Sequence, residues 1–202
     1  MNMESNLTVE EVIRSRRTIK KFKKDPISLD TLKELLDIAI WAPNHKMREP
    51  WRFIAFLDEG KQHLVEVLKN EKEKGKFPRP MKPERLEQLL SIPAFVVVVM
   101  QADPRPMIFE EDFAAVSACI QNFQLAAWER GIGMLWNTDP TIYSPTFHEQ
   151  IGVKPGEKVV GIMQIGYPDM TPKAQQRTSI EEKLTVITSA FQLEENKWKI
   201  HL

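Results

Sequence analysis

Phe95-Val96-Val97-Val98-Val99-Met100 is an unbroken apolar run dominated by β-branched residues. Successive side chains of a strand point to opposite faces, so a half-exposed strand alternates apolar and polar residues. A run with no polar member has no face to give to water. It belongs inside a sheet that is covered on both sides. Three further segments read as its neighbours: Trp51 to Leu57, Met134 to Thr138, and Lys158 to Ile165.

The covers are legible as well. Thr8-Val9-Glu10-Glu11 fits a capping box that opens a short helix, with Thr8 as N-cap. Ser28 caps a second helix, whose Leu32, Leu35, Leu36, Ala39 and Ile40 share one face. Pro43 ends it, because the residue before a proline disfavours helix. Gln62 to Glu73, Glu84 to Leu90 and Phe147 to Ile151 read as further helices. A long helix carries the stripe Val116, Ile120, Phe123 and Ala127. Glu110, Glu111 and Asp112 are expected at its start, where negative charge complements the dipole. Its small residues Ala114, Ala115, Ser117, Ala118 and Cys119 suit close packing, as at a subunit interface. The elements interleave without a regular βαβ spacing. The expectation is a mixed sheet with helices on both faces.

A chain of 202 residues reads as one domain over 1–202. Gly75, Pro78, Pro80 and Pro83 predict a mobile excursion near 75–83. A polar C-terminal extension is expected after about Ile187, with Trp198 and Ile200 as anchors on another surface. Lys plus Arg and Asp plus Glu both number 28, so no net field draws the molecule to nucleic acid. The single cysteine, Cys119, excludes an internal disulfide framework. No signal-peptide core is visible, and the apolar run Ala94–Met100 is too short to span a bilayer. These features point to a cytoplasmic protein with no membrane partner.

Two segments carry chemistry. Arg14 to Lys24 holds seven basic residues in eleven. Arg16, Arg17 and Thr18 suit a phosphate group, since guanidinium binds its oxygens bidentately; Lys20 returns to the same face of an extended chain. On composition alone the run reads equally as a solvated basic loop or a patch for an acidic partner. The second segment is Trp41-Ala42-Pro43-Asn44-His45-Lys46-Met47-Arg48-Glu49-Pro50-Trp51, a stiff aromatic-flanked loop. His45 is a ligand contact or a satisfied loop histidine, and Trp41, Trp51 and Trp136 are stacking or packing residues. The four histidines and Cys119 form no metal-ligand set. None of the eight glycines lies in GxGxxG or GxxxxGK, and no serine lies in GxSxG.

The chain resembles the nitroreductase family of FMN-dependent NAD(P)H oxidoreductases over nearly its whole length. The resemblance rests on Ser15 to Phe22, Ala42-Pro43 through Pro50-Trp51, Gly131-Ile132-Gly133 through Trp136-Asn137-Thr138, and Gly166-Tyr167-Pro168 followed by Arg177. Asn44-His45-Lys46 is similar to the small single-domain branch. The resemblance implies an α+β fold, a central mixed and mainly antiparallel sheet flanked by helices, and a domain-swapped-like homodimer with FMN at the subunit interface. Arg16, Arg17, Thr18 and Arg177 would hold phosphate and ribityl, and Lys20 would approach the polar edge of the flavin. Trp41 and His45 would face the flavin across the interface, with Trp136, Asn137 and Thr138 on the opposite side. Ala126, Ala127, Trp128, Glu129, Arg130 and Gly131 match a segment assigned to nicotinamide nucleotide in some relatives.

The implied reaction is ping-pong hydride transfer: NADH or NADPH reduces FMN, then an electron-poor acceptor such as a nitroaromatic or quinone is reduced. No protein nucleophile is needed, so no catalytic side chain is expected. Flavin-dependent dehalogenation, flavin breakdown and a flavin-binding sensor or carrier share the same resemblance; a nucleic-acid-binding module is a rival from another class. Met47 and Glu49 stand where relatives usually have asparagine and glutamine. Glu49 is expected to point away from the flavin, with Arg48 and Arg52 as cations near it in sequence.

Overall fold

The computed structural model describes residues 7–74 and 78–188. Four strands form one sheet in the order β1-β2-β4-β3: β1 is Trp51–Phe56, β2 Ala94–Gln101, β3 Gly133–Asn137 and β4 Glu157–Gly166. The ladders are antiparallel throughout. The parallel component of the expected mixed sheet shrinks to one isolated bridge, Thr18 with Met134. Burial on both faces depends on what covers a strand rather than on its direction, so the valine run is compatible with antiparallel neighbours.

The alternation within β2 shows how the covers are divided. Val96, Val98 and Met100 face one core, shared with Leu32, Leu35 and Ala39 of α2 (Leu29–Ala39) and with Val116, Ile120 and Phe123 of α5 (Pro106–Glu129). Phe95, Val97 and Val99 face the other, with Leu64 and Leu68 of α3 (Asp58–Lys74), Leu89 of α4 (Pro83–Leu90) and Phe147 of α6 (Pro145–Gln150). The expected capping box of α1 (Val9–Ser15) is present: Glu11 N donates to Thr8 Oγ1 at 3.3 Å, and Thr8 N donates to Glu11 Oε2 at 2.7 Å. The Ser28 hydroxyl likewise accepts from Thr31 N at 3.0 Å.

One expectation about α5 is corrected. Pro106 sits in its first turn, which contains no acidic residue. Proline suits the start of a helix because its missing N–H would have had no partner there. The helix therefore begins four residues ahead of Glu110, and the acidic trio lies inside it. Within the expected excursion, residues 75–77 fall outside the described residues; beyond them Arg79 N donates to Lys72 O at 2.8 Å, and Pro83 already belongs to α4.

The chain divides into a body through Pro172 and a second unit from Lys173 onward. In the described part of the second unit, the Ser179 hydroxyl caps a short 3-10 turn at Ile180–Glu182, and its residues are exposed. Trp198 and Ile200 lie outside the described residues.

Two glycines allow strands and loops to touch. A Cβ on Gly133 would collide with the Ile19 side chain, and one on Gly161 would collide with the Trp136 indole. Gly133→Ala is expected to cost about 1–3 kcal/mol in denaturant unfolding, the usual range for overpacking a filled site. Adding Ile19→Ala should then cost less than Ile19→Ala costs alone, because the two side chains compete for one space. An unaltered midpoint in Gly133→Ala would show that the packing is slack.

Candidate functional site

β3 lies at the edge of the sheet, and an edge offers unpaired main-chain groups. The segment that leaves α1 takes up part of that edge. Ile19 N donates to Met134 O at 3.0 Å, Lys23 N donates to Tyr167 O at 2.8 Å, and Asp169 N donates to Lys21 O at 3.1 Å. Ile19 is fully buried and Phe22 packs against the core, so the segment is pinned from inside by two apolar side chains. Lys20, Lys21, Lys23 and Lys24 are left exposed. None of these lysines makes an ion pair among the described residues. The charge of these four lysines is therefore not neutralised by an ion pair among the described residues.

Arg17 uses Nη1 to donate to Arg14 O at 2.7 Å and Arg16 O at 2.9 Å. It thereby satisfies carbonyls at the end of α1 that have no partner inside the helix. The Trp128 indole donates to Ser15 Oγ at 2.9 Å, which joins the end of α5 to the end of α1. Of the segment expected to meet nicotinamide nucleotide, Ala126 and Ala127 are buried, and Arg130 pairs with Glu34 at 2.8 Å. Glu129 and Gly131 are exposed.

Farther along the same edge strand, Trp136 Nε1 donates to Val160 O at 3.3 Å. The β2–β4 register slips between Val98 and Val99, and Val160 is the residue left without a partner in β2. This bulge, together with the bare face of Gly161, lets the indole lie against β4. Asn137 is half-buried, with Oδ1 accepting from Asp139 N at 3.3 Å, and Thr138 is exposed. The structure thus brings Arg16 to Lys20 and Trp136 to Thr138 to a single sheet edge. Arg177 lies exposed in the second unit.

The loop after α2 is built by different forces. Lys46, Met47 and Glu49 have φ of 54°, 50° and 44°. Non-glycine residues in this left-handed region each carry strain and persist only where surrounding contacts enforce it. Here the enforcement is polar. Glu49 N donates to Asn44 Oδ1 at 3.0 Å, and His45 Nδ1 lies 2.6 Å from Glu111 Oε2. Arg48 donates to Asp112 through Nε at 2.9 Å and Nη2 at 2.8 Å, and reaches Asp103 at 3.3 Å. Asp112 is only 2% exposed, so this fork satisfies a carboxylate that would otherwise be stranded in the core. Two of the three acids once assigned to the dipole of α5 therefore hold this loop.

Neither cation near Glu49 in sequence is paired with it, since Arg48 goes to Asp112 and Arg52 to Glu157. Glu49 is exposed and makes no ion pair among the described residues. Trp41 and Met47 project from the same region at 84% and 74% exposure. Sequence reading gives Asp112 to the dipole of α5 and Trp128 to a nicotinamide segment, and misses their anchoring bonds as well as the role of Gly161. Only the bare glycine in an apolar strand was a usable signal, marking a bulge or a close approach.

A model of the nitroreductase family matches residues 13–167. YfhC of Bacillus subtilis (strain 168), named as a candidate NAD(P)H nitroreductase, is 38% identical over 186 residues, covering 88% of this chain and 93% of that one. A crystal structure of a nitroreductase-like family protein from Bacillus cereus is 40% identical, with a TM-score of 0.83 over 93% of this chain and 100% of that one. The FMN- and NADPH-dependent nitroreductase NfnB from Sphigopyxis sp. strain HMH shares the fold, with a TM-score of 0.75 at 15% identity, covering 90% of this chain and 99% of that one.

Arg52 holds the Glu157 carboxyl below its ordinary value, mainly by hydrogen bonding. A carboxyl depressed in the folded state contributes stability above its unfolded value and loses it as pH falls through the folded one. Acid unfolding below about pH 4 should therefore be less steep in Glu157→Gln, at the cost of a lower midpoint at neutral pH. Asp112→Ala should lower the melting temperature by several degrees and open the 44–50 loop to proteolysis. Native-like protease resistance in that variant would refute the anchoring role of Arg48 and Asp112.

Proposed function

The chain belongs to the nitroreductase family, and we propose that it acts as a homodimeric NAD(P)H oxidoreductase with FMN bound along the β3 edge. The observation that carries this reading is the Ile19–Met134 hydrogen bond. It sets the basic segment, with its exposed Lys20, beside Trp136, Asn137 and Thr138, so one edge offers cations for a phosphate and an aromatic and amide surface for a planar ring. That donor set fits a phosphorylated flavin. FMN, when bound, supplies the redox chemistry that no side chain of the protein offers, accepting reducing equivalents from NADH or NADPH and passing them to an electron-poor acceptor.

The roles of the chain's own residues follow from their chemistry. Arg16 and Thr18 would hold phosphate oxygens, with Arg17 adding the donors that α1 does not use. Lys20 would place a positive charge where a reduced ring gains electron density, favouring that state electrostatically. Trp41 and His45, on the strained loop, would belong to the partner's flavin site. Support for a dimer comes from Trp41, Met47 and Ile38, apolar side chains that the single chain leaves in water, and from Ala114 on the exposed face of α5. Nitroaromatics and quinones are the acceptor classes proposed.

The test begins with the visible spectrum of the purified protein under argon. A yellow protein that bleaches with NADPH or NADH, and recovers with a nitroaromatic or quinone, carries the reading. Arg16→Ala should weaken FMN binding by about 10- to 100-fold, the loss of one charge-assisted phosphate contact. Undiminished flavin affinity in that variant would remove the basic segment from the site.

A further inference from the structure

Phe109 and Phe113 of α5 stack one turn apart, with ring centroids 6.4 Å apart and planes within 10°. They line a cleft together with Trp136, Thr138, Ile142, Tyr143 and Lys158, so the cleft adjoins the surface proposed for the flavin. Its volume is about 260 Å³, below the roughly 300–1,000 Å³ typical of drug-sized ligands. A molecule of one ring suits that space better than a nucleotide does. Three kinds of aromatic side chain line it, and the Trp136 wall is fixed by its bond to Val160 and by the absence of a Cβ at Gly161.

The polar feature is Lys158. Its ammonium lies 4.9 Å from the centre of the Tyr143 ring, a cation–π distance. It makes no ion pair among the described residues, whereas Arg48, Arg52, Arg105 and Arg130 each have a carboxylate. An ammonium held against an aromatic wall without a counter-ion complements an acidic group on an aromatic ring. We propose that this cleft binds a single-ring aromatic anion, its ring against the aromatic walls and its acid group on Lys158. The proposal rests on the oxidoreductase reading for its consequence, namely that acceptors such as a nitrobenzoate are favoured over their neutral counterparts. The binding step itself stands without it.

The test uses two unreactive probes, benzoate and benzyl alcohol, titrated calorimetrically into the full-length protein at low ionic strength, where a charge pair is least screened. Benzoate is expected to bind about tenfold more tightly, the yield of one partly exposed charge-assisted contact. Lys158→Gln should erase that preference, and Lys158→Glu should transfer it to benzylamine. Equal affinities in the native protein, or a benzoate preference that survives Lys158→Gln, would overturn the proposal. So would expulsion of benzoate by saturating FMN, which would make the cleft part of the flavin's own seat. These titrations give an answer even if the protein never reacts with NADH or NADPH, so failure of the redox reading is seen separately. In the active protein, the ratio of kcat/KM for 4-nitrobenzoate to that for nitrobenzene should fall about tenfold in Lys158→Gln.

Discussion

The N–H of Ile19 donates to the carbonyl of Met134 at 3.0 Å, and the geometry of the candidate site hangs on that contact. It can form only because Gly133 lacks a side chain, which lets Ile19 sink to full burial beside the strand. Once Ile19 is seated, its neighbours Thr18 and Lys20 have nowhere to go but the rim of the sheet. Trp128 reinforces the same end from α5 by holding Ser15. A charged segment of low intrinsic order is thus given a fixed address by apolar packing and one main-chain bond. Its conformational entropy is spent in folding rather than in ligand binding.

The loop that follows α2 reaches order by the opposite route. Its left-handed residues Lys46, Met47 and Glu49 offer no apolar anchor and carry backbone strain. The compensation is polar, with an ion pair between Arg48 and the buried Asp112 and a hydrogen bond between His45 and Glu111. The basic segment and this loop, which the proposal assigns to different flavin sites, therefore answer to different conditions. The strand-edge segment is governed by packing volume, and the loop by charge.

Periodicity and punctuation made the framework legible in the sequence. The valine run declared itself buried on both faces, and β2 does divide its side chains between two cores. Thr8 and Ser28 announced their helices through local hydrogen bonds between near neighbours in the chain. Contacts distant in sequence were not legible. Asp112 bonds Arg48, 64 residues away, and nothing near either residue names the other. Glu110 to Asp112 misled for that reason, since a carboxylate near a helix start has a generic use that hides a specific one. The family motifs marked candidate site residues, but not that Arg17 would close the end of α1.

Cys119 is the chain's only thiol. It is enclosed in the α5 core, where burial pushes its pKa up to about 12. Quinones and the partly reduced products of nitro compounds are electrophiles that destroy enzymes by alkylating thiolates, the reactive form of the side chain. A protein that meets such molecules at its surface gains from having no thiolate there. The one cysteine of this chain is a poor target for such attack, because it is buried and its pKa is raised.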